Sequence, residues 1–188
     1  KIYNINMSDV TKDQRRIAKA VNFGIVYGMS PWGLAEELNI STFEANDFIN
    51  RYFMIYPEVK AYLDNVVKET KEIGYTETIF GRRRYMPEIN SSNGALRQFA
   101  ERTAKNAPIQ GAAADVIKLA MVAVDKKFKE LGLKSKLIAQ VHDELVVDTI
   151  NSEVEIVKKL LKEIMEGVVK LDVLLEAELS WGTNWDMK

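Results

Sequence analysis

The sequence predicts an α+β protein, a helical front half followed by a mixed half with a small antiparallel sheet and packed helices. Three observations carry that prediction. Apolar residues recur at the helical period from residue 12 to residue 73, between side chains suited to capping helix ends. The period shifts towards alternation at Tyr75. Two apolar runs near residue 140 are separated only by His142, Asp143 and Glu144, the pattern of a tight hairpin.

Taken in order, the first helix is the best marked. Thr11 with Gln14 three residues later makes a capping box, residues 12–27 contain no proline, and Gly28 offers a stop. Ser30-Pro31 opens a second helix to about Leu38. Ser41 with Glu44 caps a third that reaches Tyr56, and Pro57 breaks it before a fourth from Glu58 to Ile73, ended by Gly74. Tyr75–Phe80 and Arg84–Met86 flank a Gly81-Arg82 turn as a small hairpin, and a polar loop follows at Asn90–Asn93. Helical spacing returns from Ala95 to Asn106, is expected to stop at Pro108, and restarts from Ile109 to Leu131. Lys136–Val141 and Leu145–Thr149 form the second hairpin, Ser152 with Glu155 caps a last helix to Gly167, and Val173–Ser180 reads as a closing strand.

The chain of 188 residues is 47% hydrophobic, enough for a packed core of about one domain. With no cysteine it can form neither a disulfide framework nor a cysteine zinc site. No uninterrupted run of about 18 apolar residues occurs, so no membrane partner is expected. The start, Lys1-Ile2-Tyr3-Asn4, has no signal-peptide layout and no initiator Met, and reads as cut from something longer. Residues 143–188 hold 11 acidic and 5 basic side chains, a net of −6, which leaves +5 on the first 142. A basic front half suits a polyanion such as nucleic acid, and equally a solvated surface.

Arg15, Lys19, Phe23 and Tyr27 follow one another at steps of four on the first helix. Each step advances about 40° around the axis, so the four form one stripe. Ile17, Val21 and Ile25 form the opposite, apolar one. Two cations near a helix N-terminus followed by two aromatic rings match a nucleoside triphosphate, with phosphates at one end and base at the other. The same pattern fits an amphipathic helix with its rings in the core and its cations in water. Gly24 costs roughly 1 kcal/mol against Ala in a helix interior, so some group must approach that backbone closely.

Residues Arg15 to Gly28, RRIAKAVNFGIVYG, resemble motif B of the family A (polymerase I family) DNA polymerases, RRxxKxxxFGxxYG, at every defining position. The resemblance implies a fingers helix that closes over an incoming deoxynucleotide. In it Arg15 and Lys19 contact the triphosphate, Phe23 packs near the sugar and base, and Tyr27 sits by the templating base. Phe at position 23 implies rejection of dideoxynucleotides. Gln140-Val141-His142-Asp143-Glu144-Leu145 looks like motif C, VHDE. Bare, two carboxylates on a hairpin tip are also an ordinary solvated turn, although Mg²⁺ prefers such ligands. Similarity implies that Asp143 is a metal ligand, that Glu144 assists it, and that His142 approaches the primer end. Asp143, Glu144 and Lys19 are then the catalytic residues.

Arg102-Thr103-Ala104-Lys105-Asn106-Ala107-Pro108-Ile109-Gln110-Gly111 is the third match. It implies that Arg102 meets template backbone while Asn106 and Gln110 read minor-groove acceptors shared by every correct base pair. Locally, the stretch is also a plain helix–turn–helix junction. Gly81-Arg82-Arg83-Arg84 and Trp181-Gly182-Thr183-Asn184-Trp185 occur in the family too, the former read as structural or backbone-contacting.

The resemblance covers nearly the whole chain in order. It implies fingers over residues 1–74, with the motif B helix at 11–28, and the C-terminal part of a palm over 75–188, with the motif C hairpin at 136–149. It also implies template-directed nucleotidyl transfer with two Mg²⁺ ions, primer-template DNA and deoxynucleoside triphosphates as partners, and a cytoplasmic, nucleoid-associated bacterial setting. The family's other metal-binding aspartate lies in a DYSQIE segment that this sequence lacks. That segment and the remainder of the polymerase are expected upstream, and the isolated fragment is expected to be weak or inactive. A noncatalytic nucleotide- or DNA-binding module and a purely structural helical protein are the alternatives.

Overall fold

The structure, a computed structural model, describes residues 6–184, so Trp185 of the closing motif lies outside the described residues. The chain divides into two compact units, residues 1–111 and 112–188. The boundary between them differs from the residue 74 division of the sequence reading, which was a division by role.

The first unit begins with four helices. Helix α1 (Lys12–Val26) carries the expected capping box: the Thr11 hydroxyl accepts from Gln14 N at 3.2 Å and the Gln14 side chain accepts from Thr11 N at 3.0 Å. Its end is a Schellman turn in which Gly28 takes φ +68 and Met29 N donates to Gly24 O at 2.7 Å. That turn folds Met29 back over Gly24, where an added Cβ would lie 3.2 Å from Met29 Sδ. The close approach demanded by a mid-helix glycine is therefore internal packing. Helices α2 (Pro31–Leu38), α3 (Thr42–Ile55) and α4 (Pro57–Ile73) follow, with Ser30 and Ser41 as caps and a left-handed Gly74 as the stop. Val21, Ile25, Leu34, Leu38, Ala45, Tyr52 and Leu63 form their shared core. Each large aliphatic side chain buried there stabilises the unit by about 1.5–3 kcal/mol.

Strands β1 (Tyr75–Glu77) and β2 (Arg83–Tyr85) pair antiparallel, with Thr76 opposite Arg84, a shorter hairpin than the alternation predicts. Helix α5 (Gly94–Glu130) corrects the expected break: it is one continuous helix of 37 residues with Pro108 inside. An internal proline costs about 3 kcal/mol through a lost donor and a ring clash. Against that, Ala100, Ala104 and Ala107 bury one face of α5 on Met86 and Ile89 in the two turns before the proline, and Pro108 itself is buried. Tertiary burial outweighs the local penalty. Among the described residues α5 is also the one helix apolar and long enough to cross a membrane, with a mean hydropathy of 1.4 over its best 18 residues. Asp115 and Lys118 interrupt that stretch. Ile117, Ala120 and Val124 in it are buried within the protein.

In the second unit β3 (Lys136–Val141) and β4 (Glu144–Asp148) form the predicted hairpin, with one extra residue on β3 between Leu137 and Ala139. Helix α6 (Val154–Gly167) buries Val157, Leu160 and Leu161 against Val124 and Phe128, and Leu145 and Val147 of β4 pack on that cluster. Two expectations fail here. Ser152 does not cap α6, because residues Asn151–Glu153 form a 3-10 turn that runs straight into it. Val173–Ser180 forms no strand: alternation gives it one apolar side, but a strand needs a ladder partner, and no described strand pairs with it.

Candidate functional site

The α1 stripe stands out from the protein. Arg15 and Lys19 are exposed, Phe23 and Tyr27 keep 46% and 39% of their surface, and Val21 on the opposite face keeps none. The rings are thus not core residues, which removes the amphipathic-core reading of the pattern. Phe23 and Tyr27 stack with centroids 6.0 Å apart, and Lys19 Nζ lies 5.8 Å from the Phe23 ring. Asp13 pairs with Arg16 at 3.5 Å, and no ion pair with a described residue engages Arg15 or Lys19. Arg15 near the start of α1 and Lys19 in its middle are held without a counter-charge among the described residues, an arrangement that favours an incoming anion. Tyr52 Oη donates to Asn22 Oδ1 at 3.0 Å and fixes the helix against α3.

The C-terminal end of α1 meets α5. A Cβ on Gly28 would lie 3.4 Å from Arg102 Cα, so the glycine lets the two backbones touch beside Tyr27. Because α5 is unbroken, Arg102, Asn106 and Gln110 stand at steps of four on one of its faces. Arg102 and Gln110 are exposed. Asn106 buries Oδ1 with no hydrogen-bond partner among the described residues, at a cost of about 1–3 kcal/mol. The Arg102 guanidinium lies 6.0 Å from the ring of Phe99, one turn earlier, and Phe99 is 59% exposed. Sequence reasoning passed over Phe99. Phe99, Arg102 and Asn106 share a face already within the predicted helix, and the expected break at Pro108 hid only that Gln110 continues it. Below them, Arg82 Nη2 donates to Gly111 O at 2.7 Å, a contact that gives one of the three loop arginines a packing role.

His142, Asp143 and Glu144 belong to the second unit and are all exposed at the tip of the β3–β4 hairpin. Val141 and Glu144 close the ladder, so His142 and Asp143 form a two-residue turn in which His142 takes φ 54. A left-handed conformation costs a residue with a Cβ about 1–2 kcal/mol. The Gln140 side-chain amide offsets part of that by donating to His142 O. The turn therefore holds Asp143 at a fixed point on a hairpin anchored by Leu145 and Val147. Among the described residues no group of three or more His, Asp or Glu side chains could hold a metal ion. Asp143 and Glu144 are nonetheless hard oxygen donors of the type Mg²⁺ takes in ones and twos beside substrate phosphates, so they fit part of such a site.

The chain thus carries an exposed stripe of cations and rings on α1, a polar face on α5 and an acidic hairpin tip, on an α+β frame. The family model described as DNA polymerase family A matches residues 1–187, and the chain belongs to that family. It is 52% identical over 184 residues to DNA polymerase I of Caldicellulosiruptor bescii, covering 98% of this chain and 22% of that protein. Against DNA polymerase I of Pseudomonas aeruginosa the identity is 50% over 185 residues, covering 98% and 20%. The chain thus spans about a fifth of the length of these relatives. The POL domain of Pol1 from M. smegmatis, solved in complex with DNA primer-template and dNTP, superposes with a TM-score of 0.94 at 44% identity. That match covers 98% of this chain and 33% of the other.

Proposed function

We propose that this chain is the nucleotide-gripping and duplex-reading part of a DNA polymerase that extends a primer on a template from deoxynucleoside triphosphates. The observation that supports the reading is the exposed Arg15–Lys19–Phe23–Tyr27 stripe, whose cations have no ion pair among the described residues. By role, residues 1–74 act as fingers and 75–188 as palm, with 75–111 packed in the same compact unit as the fingers. The rest of the polymerase is supplied upstream, in the bacterial cytoplasm, on chromosomal DNA.

Arg15 and Lys19 neutralise the triphosphate along the N-terminal half of α1. Lys19 also faces the charge that develops as pyrophosphate leaves, and its stabilisation grows when closure of the helix excludes water. Phe23 and Tyr27 offer ring faces to the sugar and base of the incoming nucleotide and to the templating base. Arg102 holds template backbone. Asn106 and Gln110 donate side-chain amides to minor-groove acceptors that do not depend on sequence. Asp143 would hold Mg²⁺, with Glu144 beside it, and His142 would lie towards the primer terminus. Bound there, the ion would lower the pKa of the primer 3′-hydroxyl and offset charge on the leaving oxygens. The DYSQIE segment that brings the family's other metal-binding aspartate is absent from these residues, so the site is completed by the upstream chain.

The reading is tested by single-turnover primer extension by the parent polymerase chain as a function of dNTP concentration. Arg15→Ala and Lys19→Ala each raise the half-saturating dNTP concentration by about 10- to 100-fold, the value of one lost charge-assisted contact. An unchanged concentration dependence in both variants would contradict the reading and leave α1 a structural helix.

A further inference from the structure

We propose that Tyr52 is a positioning residue for nucleotide binding: its hydroxyl, through Asn22, fixes the rotation of α1 about its own axis and with it the aim of Arg15, Lys19, Phe23 and Tyr27. The inference rests on the nucleotide-binding reading of α1 above and adds to it the groups that hold the stripe in place. Asn22 precedes Phe23 and follows Lys19 by three residues. At about 100° per residue it lies roughly 60° from Lys19, on the flank between the exposed stripe and the packed face of Ile17, Val21 and Ile25.

The packed face and the flank hold α1 differently. Ile17, Val21 and Ile25 make apolar contacts, which are non-directional and survive a small turn of the helix with little loss of buried area. A hydrogen bond does not. With side-chain atoms about 6 Å from the axis, a turn of roughly 20° displaces them by about 2 Å, enough to break the 3.0 Å bond from Tyr52 Oη to Asn22 Oδ1. The same turn carries the Lys19 and Phe23 side chains at least as far, and a displacement of about 1 Å is already enough to spoil the alignment of a bound reactant.

Tyr52 is the fixed end of this bond. It keeps 6% of its surface, and its ring stands edge-on to Phe53 at 5.8 Å and tilted against Tyr56 at 5.0 Å, so the hydroxyl is not free to follow a moving helix. Burial, with Tyr56 adding to it, pushes the phenol above its ordinary 10.0, so the hydroxyl keeps the proton that it donates. Asn22 is exposed, and water can reach its side chain once the hydroxyl is removed. Loss of the bond therefore frees α1 to turn without leaving a buried polar atom unpaired, and the effect falls on the aim of the stripe more than on folding.

The test is single-turnover primer extension by the parent polymerase chain over a series of dNTP concentrations, with Tyr52→Phe, Asn22→Ala and the double variant. Each single variant is expected to raise the half-saturating dNTP concentration by about three- to tenfold, and the double variant no further than the larger of the two, since both remove one bond. A merely structural role predicts a different result: loss of folded protein lowers the amplitude of extension and leaves the half-saturating concentration unchanged. The inference is overturned if either single variant keeps the parent's half-saturating concentration, or if the two effects multiply in the double variant. Should Arg15→Ala and Lys19→Ala both leave that concentration unchanged, the nucleotide-binding reading itself falls, and this inference with it.

Discussion

A β-carbon on Gly111 would sit 2.5 Å from Thr78 Cγ2, well inside van der Waals contact. Thr78 has no room to yield, because its N–H donates to Arg82 O at 2.9 Å and its hydroxyl accepts from Phe80 N and Arg82 N. Two effects compete in Gly111→Ala. Ala gains about 1 kcal/mol of helix propensity over Gly, and overpacking of this kind costs about 1–3 kcal/mol. The clash wins while Thr78 keeps its methyl group. Gly111→Ala is expected to destabilise the protein by up to about 2 kcal/mol in urea unfolding, and adding Thr78→Ser is expected to turn the same substitution stabilising. Equal effects in the two backgrounds would show that the contact does not decide the outcome. None of this was legible in the sequence, since the constraint joins residues 33 positions apart. The stripe on α1 was legible, because a single helix and its period place all four side chains. Sequence could not choose between its buried and exposed versions, a choice made by the partners of the opposite face, Val21 and Ile25.

Elements whose ends are fixed by nearby side chains match the sequence reading. α1, α2 and α3 begin at Thr11, Ser30 and Ser41 as their spacing predicts. Elements fixed by distant partners do not. Pro108 sits inside a helix whose preceding turns pack on Met86 and Ile89, and Val173–Ser180 lacks a neighbour to pair with among the described residues. The start of α6 shows the same division. Glu153 spends its carboxylate across the chain, accepting from Lys134 N at 3.0 Å, Ser135 N at 2.8 Å and Ser135 Oγ at 2.5 Å. Those contacts, the Lys134 amide first, hold the Glu153 carboxyl below its ordinary 4.5. A depressed folded-state value means that the unfolded chain takes up the proton first, so the stabilisation is complete above 4.5 and is lost as pH falls through the lowered value. The stability gap between the wild type and Glu153→Ala is therefore expected to be constant well above pH 4.5 and to narrow as pH falls below it. Thermal unfolding at a series of pH values measures it. A gap that persists at the acid end would contradict the carboxylate's role in joining β3 to α6.

At the scale of the whole molecule, the chain divides its chemistry between two units. The first holds the exposed stripe of α1 and the polar face of α5, and the second holds Asp143 on a strained, anchored turn. Family membership was legible because motif order survives in the linear sequence. The place of each motif in a compact unit was not, since the boundary at Gly111 falls within a continuous helix. The account stands on Asp143 as a residue kept for chemistry and not for folding. It is exposed and contributes nothing to the Val124–Phe128 core, so replacing it is expected to leave stability within about 0.5 kcal/mol. The most direct test is Mg²⁺-dependent primer extension by the parent chain carrying Asp143→Asn, with the melting temperature measured alongside. Extension is expected to fall by about a thousandfold or more at an unchanged melting temperature, the scale of losing a metal ligand. Extension within tenfold of the wild type at the same stability would contradict the account.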